Sequence, residues 1–309
     1  MSGLDVLVTG LPRSGTTLTC ELLNMVPDTV ALDEPIEWAP LLNRSSGAAA
    51  GSAGRRAVTA VRARLSRQQA PKAPEPKAIC DYVAAFCDSA RRSIRERQVA
   101  PSRNVDGRVL GSKVADEYTE SGLRMKLAEW GEIAVDKELS EGFVLAVKHT
   151  AGFTAVLGPL AERFPLYALV RNPLSVLSSW QTVPFPPQQG HVAMGEAFDP
   201  TLAAELAHID DRHDRQIHLL SWFFGRYRAV LDASSVIRYE DVVSSGAGAL
   251  GAITPAAAQL TVPLENRNRG RGVYDADLAN MLGERLLATD GPWWHFYSRS
   301  EVEELLAAN

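Results

Sequence analysis

The chain has 309 residues, 46% hydrophobic and 22% charged, with a formal net charge of -5 at pH 7. That length has room for one or two domains and buries roughly three quarters of its unfolded surface, so neither disulfide nor metal staples are needed. Its three cysteines, Cys20, Cys80 and Cys87, are odd in number and form no C-x-x-C pair, which fits a reducing compartment. No apolar run approaches the roughly 18 residues of a membrane span, and the first residues lack the basic start and apolar stretch of a signal peptide. A cytoplasmic globular protein is expected, with no membrane partner. Mild acidity argues against a nucleic-acid partner, although charge can be locally positive where an anion sits.

In chain order, Asp5–Thr9 (DVLVT) is a short apolar run that meets Gly10 and Pro12, a buried strand entering a turn. Beyond Thr16, residues Leu18, Leu22, Met25 and Val26 recur at helical spacing, giving strand, glycine loop, helix. Asp28–Leu32 reads as a second strand ending in Asp33, Glu34 and Pro35, which places Glu34 at a carboxyl end. Arg44–Lys77 combines a Gly/Ala/Ser tract, a basic amphipathic stretch and three prolines, and predicts a mobile surface insertion. Asp81–Arg97 is predicted helical, with Cys80 and Cys87 one heptad apart as packing thiols.

Phe143–Val147 is an apolar strand leading to Lys148 and His149, with helix following to about Phe164. Leu166–Val170 is another strand, ending at Arg171. Asn172 then caps, and Pro173 opens, a helix to about Val183. Pro184–Pro200 reads as a Pro/Gly-rich loop, Leu202–Leu231 as one or two helices, and Ser235–Tyr239 as a strand running into Glu240 and Asp241. Strands alternating with helices predict an α/β fold: a three-layer sandwich with a central parallel sheet, as a single domain over 1–309.

Gly10–Thr17 (GLPRSGTT) carries the most chemistry. A phosphate-binding loop, G-x-x-x-x-G-K-[ST], cradles anions on backbone N–H groups, with its lysine on the β and γ phosphates. Both glycines and Thr17 are in place, but Thr16 occupies the lysine position and the basic group is Arg13. The anion cradle is kept while the lysine used in nucleoside-triphosphate chemistry is lost.

Pro12, Arg13, Ser14, Gly15, Thr16 and Thr17 resemble the 5′-phosphosulfate loop of sulfotransferases that use 3′-phosphoadenosine 5′-phosphosulfate (PAPS). Arg171 and Ser179, in ALVRNPLSVLSSW, stand at the spacing of the family's arginine and serine that hold the donor's 3′-phosphate. Tyr239-Glu240-Asp241 is similar to its Y-E-D segment, whose tyrosine approaches the adenine. The resemblance covers Val6–Leu42 and Phe143–Val243, leaving Arg44–Gly142 unaligned. It departs at Leu18, where many cytosolic members have a tryptophan stacked on adenine. The family's arginine-lysine-glycine lid has only a loose counterpart in Arg267–Gly272, which makes Arg269, Gly270 and Arg271 candidates for the donor phosphates.

The resemblance implies a P-loop-like sulfotransferase fold and metal-free, in-line transfer of a sulfuryl group from PAPS to a hydroxyl or amine of a small-molecule acceptor, releasing 3′-phosphoadenosine 5′-phosphate (PAP). Arg13, the Gly15–Thr17 amides and Lys148 would stabilise the oxygens and the leaving phosphate. Two residues compete as the base that takes the acceptor proton. His149 follows a strand as the catalytic histidine of cytosolic members does, yet those have one residue between lysine and histidine. Here they adjoin, and neighbours in an extended chain point to opposite faces. Glu34 matches the glutamate that some bacterial and heparan-modifying relatives carry after the second strand, and neighbouring cations would keep it ionised. Glu34 is preferred.

His208, His213 and His218 drift around a predicted helix beside Asp210, Asp211 and Asp214, so no metal site is expected. Trp293, Trp294, Phe296 and Tyr297 are expected as a packed cap. Acceptor selectivity is expected from Pro184–Pro200, the insertion and aromatics near Trp38. Two alternatives stay open: a nucleotide kinase or triphosphatase with a degenerate loop, and a non-catalytic nucleotide-binding module. Against the first stand the missing lysine and the lack of an apolar strand ending in an obvious Mg²⁺-binding aspartate. The sequence does not specify an oligomeric state.

Overall fold

The computed structural model describes residues 3–45, 74–120, 122–266 and 276–307. The chain begins β1 (Asp5–Gly10), α1 (Thr16–Met25), β2 (Thr29–Asp33), α2 (Ala39–Ser45) and α3 (Pro76–Arg97). Four short strands follow: β3 (Val99–Asn104), β4 (Val114–Tyr118), β5 (Arg124–Lys126) and β6 (Glu129–Ala134). Next come β7 (Val144–Lys148), α4 (Thr150–Ala155), α5 (Leu157–Ala161), β8 (Leu166–Val170) and α6 (Pro173–Gln181). The remainder is α7 (Ala193–Phe198), α8 (Pro200–Ala207), α9 (Arg212–Val230), β9 (Val236–Arg238), α10 (Tyr239–Ser244), α11 (Ala276–Ala288) and α12 (Arg299–Ala307).

The apolar strands assemble as a parallel sheet in the order β2-β7-β1-β8-β9, flanked by helices, as the alternation of elements predicts. β1, β2, β7 and β8 are almost continuously buried, which is why they read as apolar runs without alternation. Lys148 is in register with Val8 on one side and Asp33 on the other, and Gly10 pairs with Leu169. The carboxyl ends of four neighbouring strands therefore stand together, where α/β sheets bind ligands. Arg91 of α3 ties this helix beneath the sheet, bridging Asp5 at 2.6 Å and donating to Phe143 O at 2.8 Å.

Several local expectations change. The unaligned stretch holds two antiparallel ribbons, β3–β6 and β4–β5, whose mixed composition gives little periodic signal. Pro184–Pro200 is not a plain loop, for it contains α7, where the Glu196 carboxylate accepts from Val192 N at 2.7 Å. The helical stretch after His149 breaks at Val156, whose φ of -117° leaves the helical region. Leu202–Leu231 resolves into two helices, the second capped by Asp211.

Trp293 and Tyr297 are buried, so the C-terminal aromatics do close the core. The three cysteines are buried free thiols, and burial pushes Cys87 up to about 12. Among the described residues, no helix is long and apolar enough to cross a membrane.

Candidate active site

The loop after β1 is shaped by two close approaches. A Cβ at Gly10 would lie 2.5 Å from Leu169 O, and one at Gly15 would lie 2.7 Å from the Tyr239 ring. Gly15 also adopts φ +85° as it caps α1, so only glycine fits without strain. Ser14 departs from its expected role: its hydroxyl lies 2.8 Å from Leu11 O and 2.9 Å from Leu169 O, and its N–H donates to Leu11 O. It fastens the loop to β8 and turns no donor outward. Pro12 O accepts from Trp180 Nε1 at 2.9 Å, a second fastening. Thr16 and Thr17, at the start of α1, line the adjoining cavity with Pro12, Arg13 and Gly15.

The two distant halves of the motif meet here. Arg13 Nε donates to Ser179 Oγ at 3.1 Å, and Arg171 Nη1 donates to Arg13 O at 3.0 Å. The Arg171 guanidinium stacks 4.6 Å from the centre of the Tyr239 ring, which itself packs on Gly15. Asn172 caps α6 by accepting from Leu174 N, as its position before Pro173 predicts. Glu240, which the motif reading left without a role, accepts from Asn172 N at 3.0 Å and from the Tyr297 hydroxyl at 2.9 Å. It ties the β9 end to β8 and to the aromatic cap.

Beside this cluster lies a set of opposite charges, with Asp33 and Lys148 buried and Glu34, Lys113 and Arg103 partly buried. Lys148 Nζ is 2.7 Å from Asp33 Oδ1 and 3.3 Å from Glu34 Oε1. Lys113 Nζ makes the mirror pair, 3.0 Å from Asp33 Oδ2 and 2.9 Å from Glu34 Oε2. Arg103 Nε stands 3.4 Å from Glu34 Oε2, and Thr150 Oγ1 donates to Glu34 Oε1 at 3.1 Å. Buried charges persist only when paired, and here each carboxylate is shared by both lysines. Burial would raise the Glu34 carboxyl, but Lys113 and Lys148 outweigh it and hold it well below the usual carboxylate range. Burial likewise works against charge on Lys148, yet Asp33 and Glu34 prevail and raise its pKa. At Lys113 burial prevails over Glu34 and pulls the ammonium down.

Two sequence expectations are revised by this set. β2 is an apolar strand that does end in an aspartate, but both Asp33 oxygens are held by lysines. Lys113, Arg103 and Asp33 were missed as site residues. Lys113 and Arg103 come from the unaligned stretch, where no motif marks them.

His149 takes a different path from Lys148, as neighbours in an extended chain should. Its Nε2 accepts from Trp38 Nε1 at 2.7 Å, among the rings of Trp38 and Phe153. With Nε2 an acceptor, the neutral ring carries its proton on Nδ1, which has no hydrogen-bond partner among the described residues and faces Gly152. Burial pushes His149 down to about 4.

Both clusters border one cavity of about 1070 Å³, lined by Arg13, Glu34, Lys113, Lys148, His149, Arg171 and Tyr239 among others. Arg269, Gly270 and Arg271 lie outside the described residues, as does most of Arg44–Lys77. His208 closes α8 while His213 and His218 lie on α9, so the three do not share one helix.

A family model described as "Sulfotransferase family" matches residues 5–258. Among solved structures, the chain is similar to sulfotransferase STF9 from Mycobacterium avium, with 13% identity over 94% of this chain and 78% of that one. The TM-score is 0.32, a likeness too weak to add weight. A search of curated proteins finds no match. The family match runs from the first strand through the phosphate loop, the paired lysines and the Arg171 helix to beyond Tyr239, and the chain belongs to the sulfotransferase family.

Proposed function

We propose that the protein transfers a sulfuryl group from PAPS to a hydroxyl or amine of a small-molecule acceptor, without a metal, with Glu34 as the base. The contact that carries this proposal is Arg13 Nε to Ser179 Oγ, with Arg171 Nη1 on Arg13 O. It joins a phosphate loop lacking its lysine to a second anion-binding pair, as a donor with phosphates at two positions requires. The donor supplies the sulfuryl group and a phosphate leaving group.

Arg13 and the amides that open α1 would hold the 5′ end, because a helix N-terminus presents unpaired N–H groups to an anion. Arg171 and Ser179 would hold the 3′-phosphate, a guanidinium and a hydroxyl suiting a dianion. Tyr239 offers an aromatic face beside them. Glu34 borders the cavity while remaining fixed by four neighbouring donors, so its orientation is set before an acceptor arrives. A carboxylate held so far down in pKa is a weak base. The acceptor hydroxyl, however, becomes strongly acidic as its oxygen bonds to sulfur, so Glu34 can take the proton late in the transition state. Lys113 and Lys148 keep Glu34 ionised, and Lys148 adds positive charge near the reacting oxygens.

Two features weigh against His149 as the base: its Nε2 lone pair is used by Trp38, and its Nδ1 carries a proton. Calorimetric titration with 3′,5′-adenosine bisphosphate in excess EDTA, beside Mg²⁺-ATP, tests the donor site. Micromolar metal-free binding of the bisphosphate with weak ATP binding is expected. A preference for Mg²⁺-ATP would overturn the proposal.

A further inference from the structure

The cavity has two chemically different regions. One holds the Arg13–Arg171 cluster and the charged set around Glu34. The other is bordered by Leu110 from the loop before β4, Met125 from β5 and Leu127 just after β5. Leu110 is 39% exposed, Met125 52% and Leu127 39%. Single exposed aliphatic residues are ordinary on any protein surface. Here three gather on the wall of one cavity that also contains an oriented carboxylate.

The wall is anchored rather than a loose edge. Leu127 N and Ala128 N both donate to Lys113 O, at 2.8 and 3.3 Å, so the backbone that delivers Lys113 to Glu34 also sets Leu127 beside the cavity. Arg124 N donates to Thr182 O at 2.9 Å, fastening the ribbon to the end of α6. At Gly111 the preceding loop presses on α1, where a Cβ would sit 2.4 Å from Glu21 Oε2 and 3.1 Å from Leu18 Cδ1. Asp116, Glu117 and Lys126 of the ribbon also border the cavity, with Asp116 paired to Arg124 at 2.6 Å. Val192 and Met194 add two more apolar side chains to the same cavity from the start of α7.

On the basis of the sulfuryl transfer proposed above, we propose that the acceptor is an apolar alcohol, its hydrocarbon body laid against Leu110, Met125 and Leu127 and its hydroxyl at Glu34. A sugar of the same volume would set its many hydroxyls against three side chains that offer no hydrogen bond, and each unsatisfied group would cost free energy. An alcohol with one hydroxyl gives up only that group's water, and Glu34 replaces it.

A straight-chain series from butanol to octanol tests this with PAPS as donor, alongside glucose and trehalose. KM is expected to fall by about fourfold per added methylene, the transfer value for a CH₂ leaving water, with kcat nearly constant. Met125→Asp is expected to flatten that dependence while leaving bisphosphate affinity within twofold, which reports that the variant is folded. Met125→Leu should keep the dependence. A KM independent of chain length, or sugars used in preference to octanol, overturns the proposal. If the wild type binds no bisphosphate, sulfuryl transfer is the idea that fails. Calorimetry of the same alcohols on the protein alone then still decides the wall: affinity that rises with chain length supports it, and flat affinity removes it.

Discussion

Trp38 Nε1 donates a 2.7 Å hydrogen bond to His149 Nε2 inside a buried group of aromatic rings. The bond occupies the lone pair with which a catalytic histidine would act, while Glu34 keeps its carboxylate at the cavity. Charge-neutral substitutions separate the two. Glu34→Gln is expected to lower kcat by about a hundredfold or more, the usual contribution of a positioned base, with bisphosphate affinity within threefold. His149→Gln should keep kcat within tenfold. Steady-state kinetics with calorimetry checks both; the reverse order of effects would hand the role to His149.

The same histidine predicts how stability depends on pH. Burial lowers His149 from 6.5 to about 4, so below pH 6.5 the unfolded chain binds a proton that the folded chain refuses. Stability is therefore complete above pH 6.5 and falls on acidification toward pH 4, by an amount on the order of 3 kcal/mol for the whole window. Urea unfolding at pH 7.5 and 5.5 should show a smaller loss for His149→Gln than for wild type. Equal losses would mean that the ring is not held neutral.

Arg171 bonds the Arg13 carbonyl and stacks on Tyr239, so its removal loosens the loop as well as deleting a charge. Arg171→Ala is expected to weaken bisphosphate binding by about 2 kcal/mol, in line with one charge-assisted contact. Ser179→Ala, which also releases Arg13 Nε, should weaken it by a smaller amount. Titration calorimetry in EDTA reads both, and unchanged affinity in Arg171→Ala would remove the 3′-phosphate role.

Lys113 is the counterion that the sequence left unmarked. It lowers Glu34 together with Lys148, so Lys113→Met should raise the Glu34 pKa and move the acid limb of kcat/KM to higher pH. Lys113→Arg retains the charge and should restore most of the wild-type profile. Thermal unfolding is expected to fall in Lys113→Met as well, because Asp33 and Glu34 are left with one lysine between them. An unmoved acid limb would separate Lys113 from the base.

Elements whose signals are local were legible in the chain itself. The run into Gly10, the helix after Thr16 and the Asn172–Pro173 start of α6 depend on neighbours within one or two turns, and they appear where expected. Arg171 and Ser179 are readable as a strand end and a position two turns along the next helix, while the structure joins each of them to Arg13 rather than to the other. By contrast, β3 to β6 carry no continuous apolar run; β4 is buried at Val114 and Ala115 and exposed beyond, so no period marks it. Tertiary structure alone decided three things. It brought Lys113 to Glu34 from a stretch without a motif, spent the Ser14 hydroxyl inside the loop, and gave His149 to Trp38, 111 residues away in the chain. Whether a side chain acts as a base depends on which partners share its buried volume, and that is set by how distant segments pack.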